Sequence, residues 1–125
     1  MADADALRAL TTRYAETVSA KDLDAYVAMF TDDAVQGDPL GEPWRKGHAA
    51  IREFMGNAFA GAQTMDFTVS DVHTAGDHVG FHFALTVTME GATMTMAGIE
   101  TFQVADDGRI CEARAYWDER DVSMA

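Results

Sequence analysis

Three polar side chains in this sequence stand where chemistry could use them. Residues 93–104 alternate, so Met94, Met96, Gly98, Glu100, Phe102 and Val104 share one side of a strand, with Thr93, Thr95, Thr101 and Gln103 opposite. Glu100 is therefore a carboxyl group on an apolar face. Burying an unpaired carboxylate is so costly that such a group takes a strong partner, or raises its pKa and stays protonated. A protonated, fixed carboxylic acid can donate a hydrogen bond to an oxygen that is gaining negative charge. Tyr14 offers a second donor from the apolar stripe of a helix, and Asp38, beside Pro39 in a turn, offers a carboxylate base. Two donors and one base are the set that proton abstraction beside a carbonyl requires. Each residue alone has an ordinary explanation as a rim glutamate, a core tyrosine or a turn former. Only together do they indicate a site.

The elements that must position them follow from periodicity. Leu7, Leu10, Tyr14 and Val18 recur at helical steps. A second helix starts at an Asp22 cap, buries Leu23, Tyr26, Val27 and Phe30, and ends near Thr31, Asp32 and Asp33. Residues 36–41 are turn chemistry, and Pro39 pushes Asp38 toward an extended backbone. A third helix runs from His48 or Ala49 to about Ala60, with Ile51, Phe54, Met55 and Ala58 inward and Gly61 closing it. From Met65 the period becomes two. Strands are expected over 65–70, 77–89, 93–104 and 109–118, with turns at Glu90-Gly91 and at 105–108. Helices first and long strands after predict an α+β domain, helices covering one face of a curved sheet.

Composition narrows the field. The 125 residues suit one domain (1–125), and a 48% hydrophobic content suffices for a core without staples. The formal charge of −12, from 21 acidic and 9 basic side chains, would repel nucleic acid and anionic membranes. Cys111 is the single cysteine, so no intrachain disulfide or cysteine cluster can form. Its alternation with Ala113, Ala115 and Trp117 predicts a small core residue. With no leader pattern or long apolar run, a cytoplasmic protein is expected. His78 and His82 share a strand face but stand roughly 13 Å apart, so zinc is not expected. His48 reads as a surface or capping residue.

The blocks RYAETVSAKDLDAYVAMFTDDAV, GDPLGEPWRKGHAAIREF, GIETF and DDGRICEARAYW carry a resemblance over essentially the whole length. The chain resembles bacterial Δ5-3-ketosteroid isomerases, small members of the nuclear transport factor 2-like fold. The resemblance implies a cone of three N-terminal helices on a curved, antiparallel or mixed sheet. It implies Tyr14 and Glu100 as the oxyanion hole and Asp38 as the base that carries a proton from carbon four to carbon six. These isomerases are themselves the standard example of a neutral carboxylic acid donor. No cofactor or metal is implied. The implied partners are a small hydrophobic steroid and a second copy of the chain, in a homodimer. Trp117 matches a tryptophan that in some members donates to the base.

Phe30, Phe54, Met55, Phe81, Phe83, Met96 and Phe102 are candidates to line a steroid pocket, although periodicity alone makes them core. The sequence also departs from the family. Glu100 stands where aspartate is usual, adding a methylene to a geometry that tolerates little misplacement. Met55 stands where well-studied members carry a tyrosine, so Tyr14 is expected to lack a hydroxyl partner. Because the fold hosts many activities, two alternatives stay open. One is a polyketide cyclase or dehydratase acting on another hydrophobic ketone; the other is a non-catalytic module that encloses a lipid or mediates association.

Overall fold

A computed structural model describes residues 2–125. Helix α1 (Ala4–Ala20) begins where the Asp3 carboxylate accepts from the Ala6 N–H. It ends as Lys21 turns left-handed with φ 53°, its N–H reaching the Thr17 and Val18 carbonyls. The Lys21 ammonium then donates to the Phe59 and Ala62 carbonyls at 3.3 and 2.5 Å, tying this end to the third helix. Helix α2 (Leu23–Ala28) is capped by Asp22, as its sequence predicts.

Helix α2 is shorter than the periodicity suggests. Phe30–Gly37 is a strand, β1, where the sequence reads as helix end and then turn. Its pairing is parallel and distant, Val35 with Glu112, Gln36 with Ala113 and Gly37 with Arg114. Those backbone partners lie some eighty residues away, beyond any local signal. The short strand β2 (Arg45–Lys46) pairs with β1 and leads into α3 (Gly47–Gly61). Then follow β3 (Thr64–Ala75), β4 (His78–Met89), β5 (Ala92–Val104), β6 (Ile110–Tyr116) and β7 (Val122–Met124). The sheet order is β2-β1-β6-β5-β4-β3, with β7 on β5, so the expected mixed sheet forms.

The helices cover one face of the sheet, and the core fills the space between them with Leu7, Leu10, Val18, Ile51, Phe67 and Phe102 among its members. On α3 the buried stripe is Ile51, Met55 and Phe59, centred on Met55. Phe54 therefore falls at the stripe's edge and is 45% exposed, which corrects its expected inward position. Cys111 is also no core residue. It is half-buried beside the register shift between β5 and β6, where its thiol donates to the Gln103 carbonyl at 3.4 Å. The other sheet face is uncovered, leaving His82, Ala84, Ile99 and Tyr116 exposed. Among the described residues, no helix is long and apolar enough to cross a membrane.

Candidate active site

Tyr14 faces the sheet from the middle of α1, caged by aromatic rings. Its ring centroid lies 5.0 Å from Phe102, 5.4 Å from Phe67, 5.5 Å from Tyr26 and 6.4 Å from Phe81. This burial pushes its pKa well above the ordinary tyrosine value, with the Glu100, Tyr26 and Asp38 charges adding to the effect. A buried phenol of this kind keeps its proton and can donate it.

Glu100 sits in the middle of β5, register-paired with Phe81 of β4 and Ala115 of β6. Only 5% of it is exposed, as the alternation predicts. Burial raises its pKa well above the usual glutamate range, and the negative Asp38 raises it further. The Tyr14 hydroxyl and the Arg45 charge pull the other way without overcoming burial.

Asp38 follows β1 directly, joined to Pro39 by a cis peptide bond. The Leu40 N–H donates to the Ala115 carbonyl at 3.0 Å, so the turn is docked beside the register partner of Glu100. Trp117 Nε1 donates to Asp38 Oδ1 at 2.9 Å, and Arg45 Nη2 lies 3.8 Å from Oδ2. Gly98 permits the tryptophan's approach. A Cβ there would stand 2.6 Å from the Tyr116 carbonyl and 3.1 Å from the Trp117 Cβ. With 30% of its side chain exposed, Asp38 faces a cleft of about 960 Å³ whose walls include Leu40, Arg45, Phe54 and Trp117. The Arg45 guanidinium lies 3.5 Å over the Phe54 ring.

Of the three expected groups only Asp38 lines the cleft; Tyr14 and Glu100 are buried outside its lining, and the Asp38 charge adds to the rise in the pKa of both. The expected wall residues divide. Phe54 and Trp117 line the cleft beside Asp38. Met55 and Met96 are half-buried against the core. Phe30, Phe81, Phe83 and Phe102 are buried core instead. Phe30 packs on Tyr26, Phe81 and Phe102 on Tyr14, and Phe83 stacks on Phe67 at 5.4 Å. Phe81 and Phe102 thus help to form the cage around the phenol, while Phe30 and Phe83 back two of its other rings, Tyr26 and Phe67.

Three polar residues here escape a reading by sequence alone. Tyr26 Oη lies 3.2 Å from Tyr14 Oη, so Tyr14 does have a hydroxyl partner despite Met55. Gln36 and Arg45 continue from it. Gln36 would have given a signal only with β1 recognised as a strand, since a glutamine on the buried face of Ala34 would then have raised the question that Glu100 raised. Three of the four histidines have other partners. His48 shares a hydrogen bond of 2.8 Å with the Phe30 carbonyl, His78 pairs with Asp77 and His82 with Asp71. Among the described residues, no three His, Cys, Asp or Glu side chains are grouped to hold a metal ion.

Three helices on a mixed, curved sheet define the class: the chain belongs to the SnoaL-like domain family, whose pattern matches residues 11–113. It has the nuclear transport factor 2-like fold that ketosteroid isomerases and polyketide cyclases share. The chain is 30% identical over 116 residues to a steroid Delta-isomerase of Nocardioides simplex, covering 93% of each sequence. Among solved structures it is similar to the epoxide hydrolase/cyclase-like enzyme SalBIII, described for pyran ring formation in the polyether salinomycin. That match has a TM-score of 0.91 at 24% identity over 100% of both chains. It is also similar to the Δ5-3-ketosteroid isomerase from Mycobacterium sp., with a TM-score of 0.87 at 22% identity over 96% of this chain and 98% of that one. At such identities the two structures speak to the fold alone.

Proposed function

We propose that this chain is a steroid Δ-isomerase that moves the double bond of a 5-ene-3-oxo steroid into conjugation with the carbonyl. Asp38 removes a proton from carbon four, and the electrons move onto the ketone oxygen to give a dienolate. Tyr14 and a protonated Glu100 donate to that oxygen. Asp38 then returns the proton to carbon six, and the enzyme ends as it began. Donors already fixed in a water-poor setting stabilise the charged dienolate more than the neutral ketone, and that difference lowers the barrier. The observation that carries the reading is the pairing of a buried, neutral-leaning Glu100 beside Tyr14 with a cation-paired Asp38 at the cleft.

The volume of the cleft falls within the range of about 300–1,000 Å³ common for small-molecule sites. Phe54, Leu40 and Trp117 offer it apolar surface. We also infer a homodimer through the uncovered sheet face, where Gly80, His82, Ala84 and Thr86 carry little charge and Ile99 and Tyr116 are exposed. A monomeric mass by light scattering at micromolar concentration would remove that inference. The activity itself is read by ultraviolet absorbance, as conjugation of a 5-ene-3-oxo steroid by the wild type beside Asp38→Asn. Turnover abolished by the substitution, with estradiol still bound as a dienolate mimic, supports an isomerase. A wild type that binds estradiol without conjugating the ketone indicates a binding module, and one that does neither points to a cyclase or dehydratase with a different substrate.

A further inference from the structure

The polar contacts around Tyr14 form a continuous line back to the base. Tyr14 Oη lies 3.2 Å from Tyr26 Oη, and Gln36 Nε2 lies 3.0 Å from Tyr26 Oη. Gln36 Oε1 lies 3.0 Å from Arg45 Nε. Arg45 Nη1 reaches the Asp38 carbonyl at 3.3 Å, and Nη2 stands 3.8 Å from the Asp38 carboxylate. Tyr14, Tyr26 and Gln36 are all buried, which limits competition from water along the line.

The direction of the line follows from what each group can do. Arginine only donates, so Gln36 must turn its amide oxygen to Arg45 and its NH₂ to Tyr26. The Tyr26 oxygen therefore accepts, and the neighbour left to take the Tyr26 proton is the Tyr14 oxygen. Tyr14, already accepting, is left with a proton to give. Donors in series polarise one another, so a phenol that accepts one hydrogen bond is a better donor in the next.

We propose that Gln36 and Arg45 are positioning residues, which orient the Tyr26 hydroxyl so that Tyr14 always presents a proton, never a lone pair, to the substrate oxygen. Arg45 would then serve both ends of the reaction, holding the base at one end and setting the donor's direction at the other. The inference rests on the isomerase reading for the identity of the acceptor, but the direction of the line does not depend on the substrate.

Gln36→Glu tests it. Glutamate has nearly the same shape and keeps the pairing with Arg45, yet when ionised it cannot donate to Tyr26. Tyr26 would donate to the new carboxylate instead, and the Tyr14 proton would be drawn toward the Tyr26 oxygen. The expected result is a fall in kcat of about tenfold with KM little changed, less than the 10²–10³ typical of deleting an oxyanion donor. The ¹³Cζ resonance of Tyr14 in ligand-free, tyrosine-labelled protein should also move, as the phenol passes from acceptor to donor toward Tyr26. A role in packing alone would leave both readouts near wild type in so conservative a variant, and that result overturns the proposal. Should Gln36→Glu not fold, Gln36→Met removes the donor without adding charge and should move the same readouts in the same direction. If the wild type fails to conjugate the steroid, the isomerase reading falls and the resonance decides alone: a shift supports the directed line, and no shift overturns it.

Discussion

Glu100 stands in the middle of a strand between two paired neighbours, while Asp38 stands in a turn just past the end of another. The first is sealed by Phe81, Ala115 and the Tyr14 cage. The second keeps some solvent contact and meets a cation and an indole N–H. The same functional group meets opposite surroundings: burial pushes the strand glutamate toward the neutral acid, while the turn aspartate has a guanidinium and an indole N–H beside it. A sheet interior can desolvate a group and fix its direction, whereas a turn can gather partners from several elements. Separate elements thus supply the two environments that the proposed acid and base roles call for.

Removing the proposed base should have the largest effect. Asp38→Asn should lower kcat by about 10²–10⁴, in keeping with general-base catalysis, while estradiol binding persists. Removing a donor from the sealed end costs less. Tyr14→Phe should lose roughly 10²–10³ in kcat, read in the same ultraviolet assay, with no change in fold by circular dichroism. A loss confined to KM would mean that Tyr14 binds the ketone and dienolate equally and adds nothing at the transition state.

Stability measures the sealed end without any substrate. Because folding raises the Glu100 pKa, the native state holds a proton that the unfolded chain releases once pH passes the ordinary glutamate value of 4.5. Between that value and the raised one, the unfolded state binds fewer protons, so stability falls as pH rises. Urea denaturation from pH 4 to pH 8 should show this decline in the wild type, and Glu100→Gln should flatten part of it. An identical slope in the variant would place the titration elsewhere. The smallest effect belongs to the open end. Trp117→Phe removes a donor from the Asp38 carboxylate, and kcat should change by only about two- to tenfold, since Arg45 remains and water can replace the indole.

Much of the sealed end was legible in the sequence, because period-two alternation places Glu100 inward and helical spacing places Tyr14 on its stripe. Both signals are local. The open end was less so: β1 is held by parallel pairing with β6, and residues FTDDAVQG carry acidic residues that disguise a strand. Missing β1 concealed Gln36, and with it the link from Tyr26 to Arg45. The Tyr14–Tyr26 contact depends on how α1 packs on α2, which no spacing within either helix contains. Phe54, expected inward, is exposed while Phe59 is buried for a related reason, since the sheet decides which edge of the α3 stripe is covered.

The proposed catalysis requires a protonated Glu100 beside a proton-bearing Tyr14 at the pH where Asp38 would act as base. The direct measurement is the infrared carbonyl stretch of a protonated carboxyl group, taken at pH 7 as the difference between wild type and Glu100→Gln. A protonated-acid band should be present in the wild type and vanish in the variant. A difference spectrum showing only the carboxylate bands of an ionised Glu100 would contradict it.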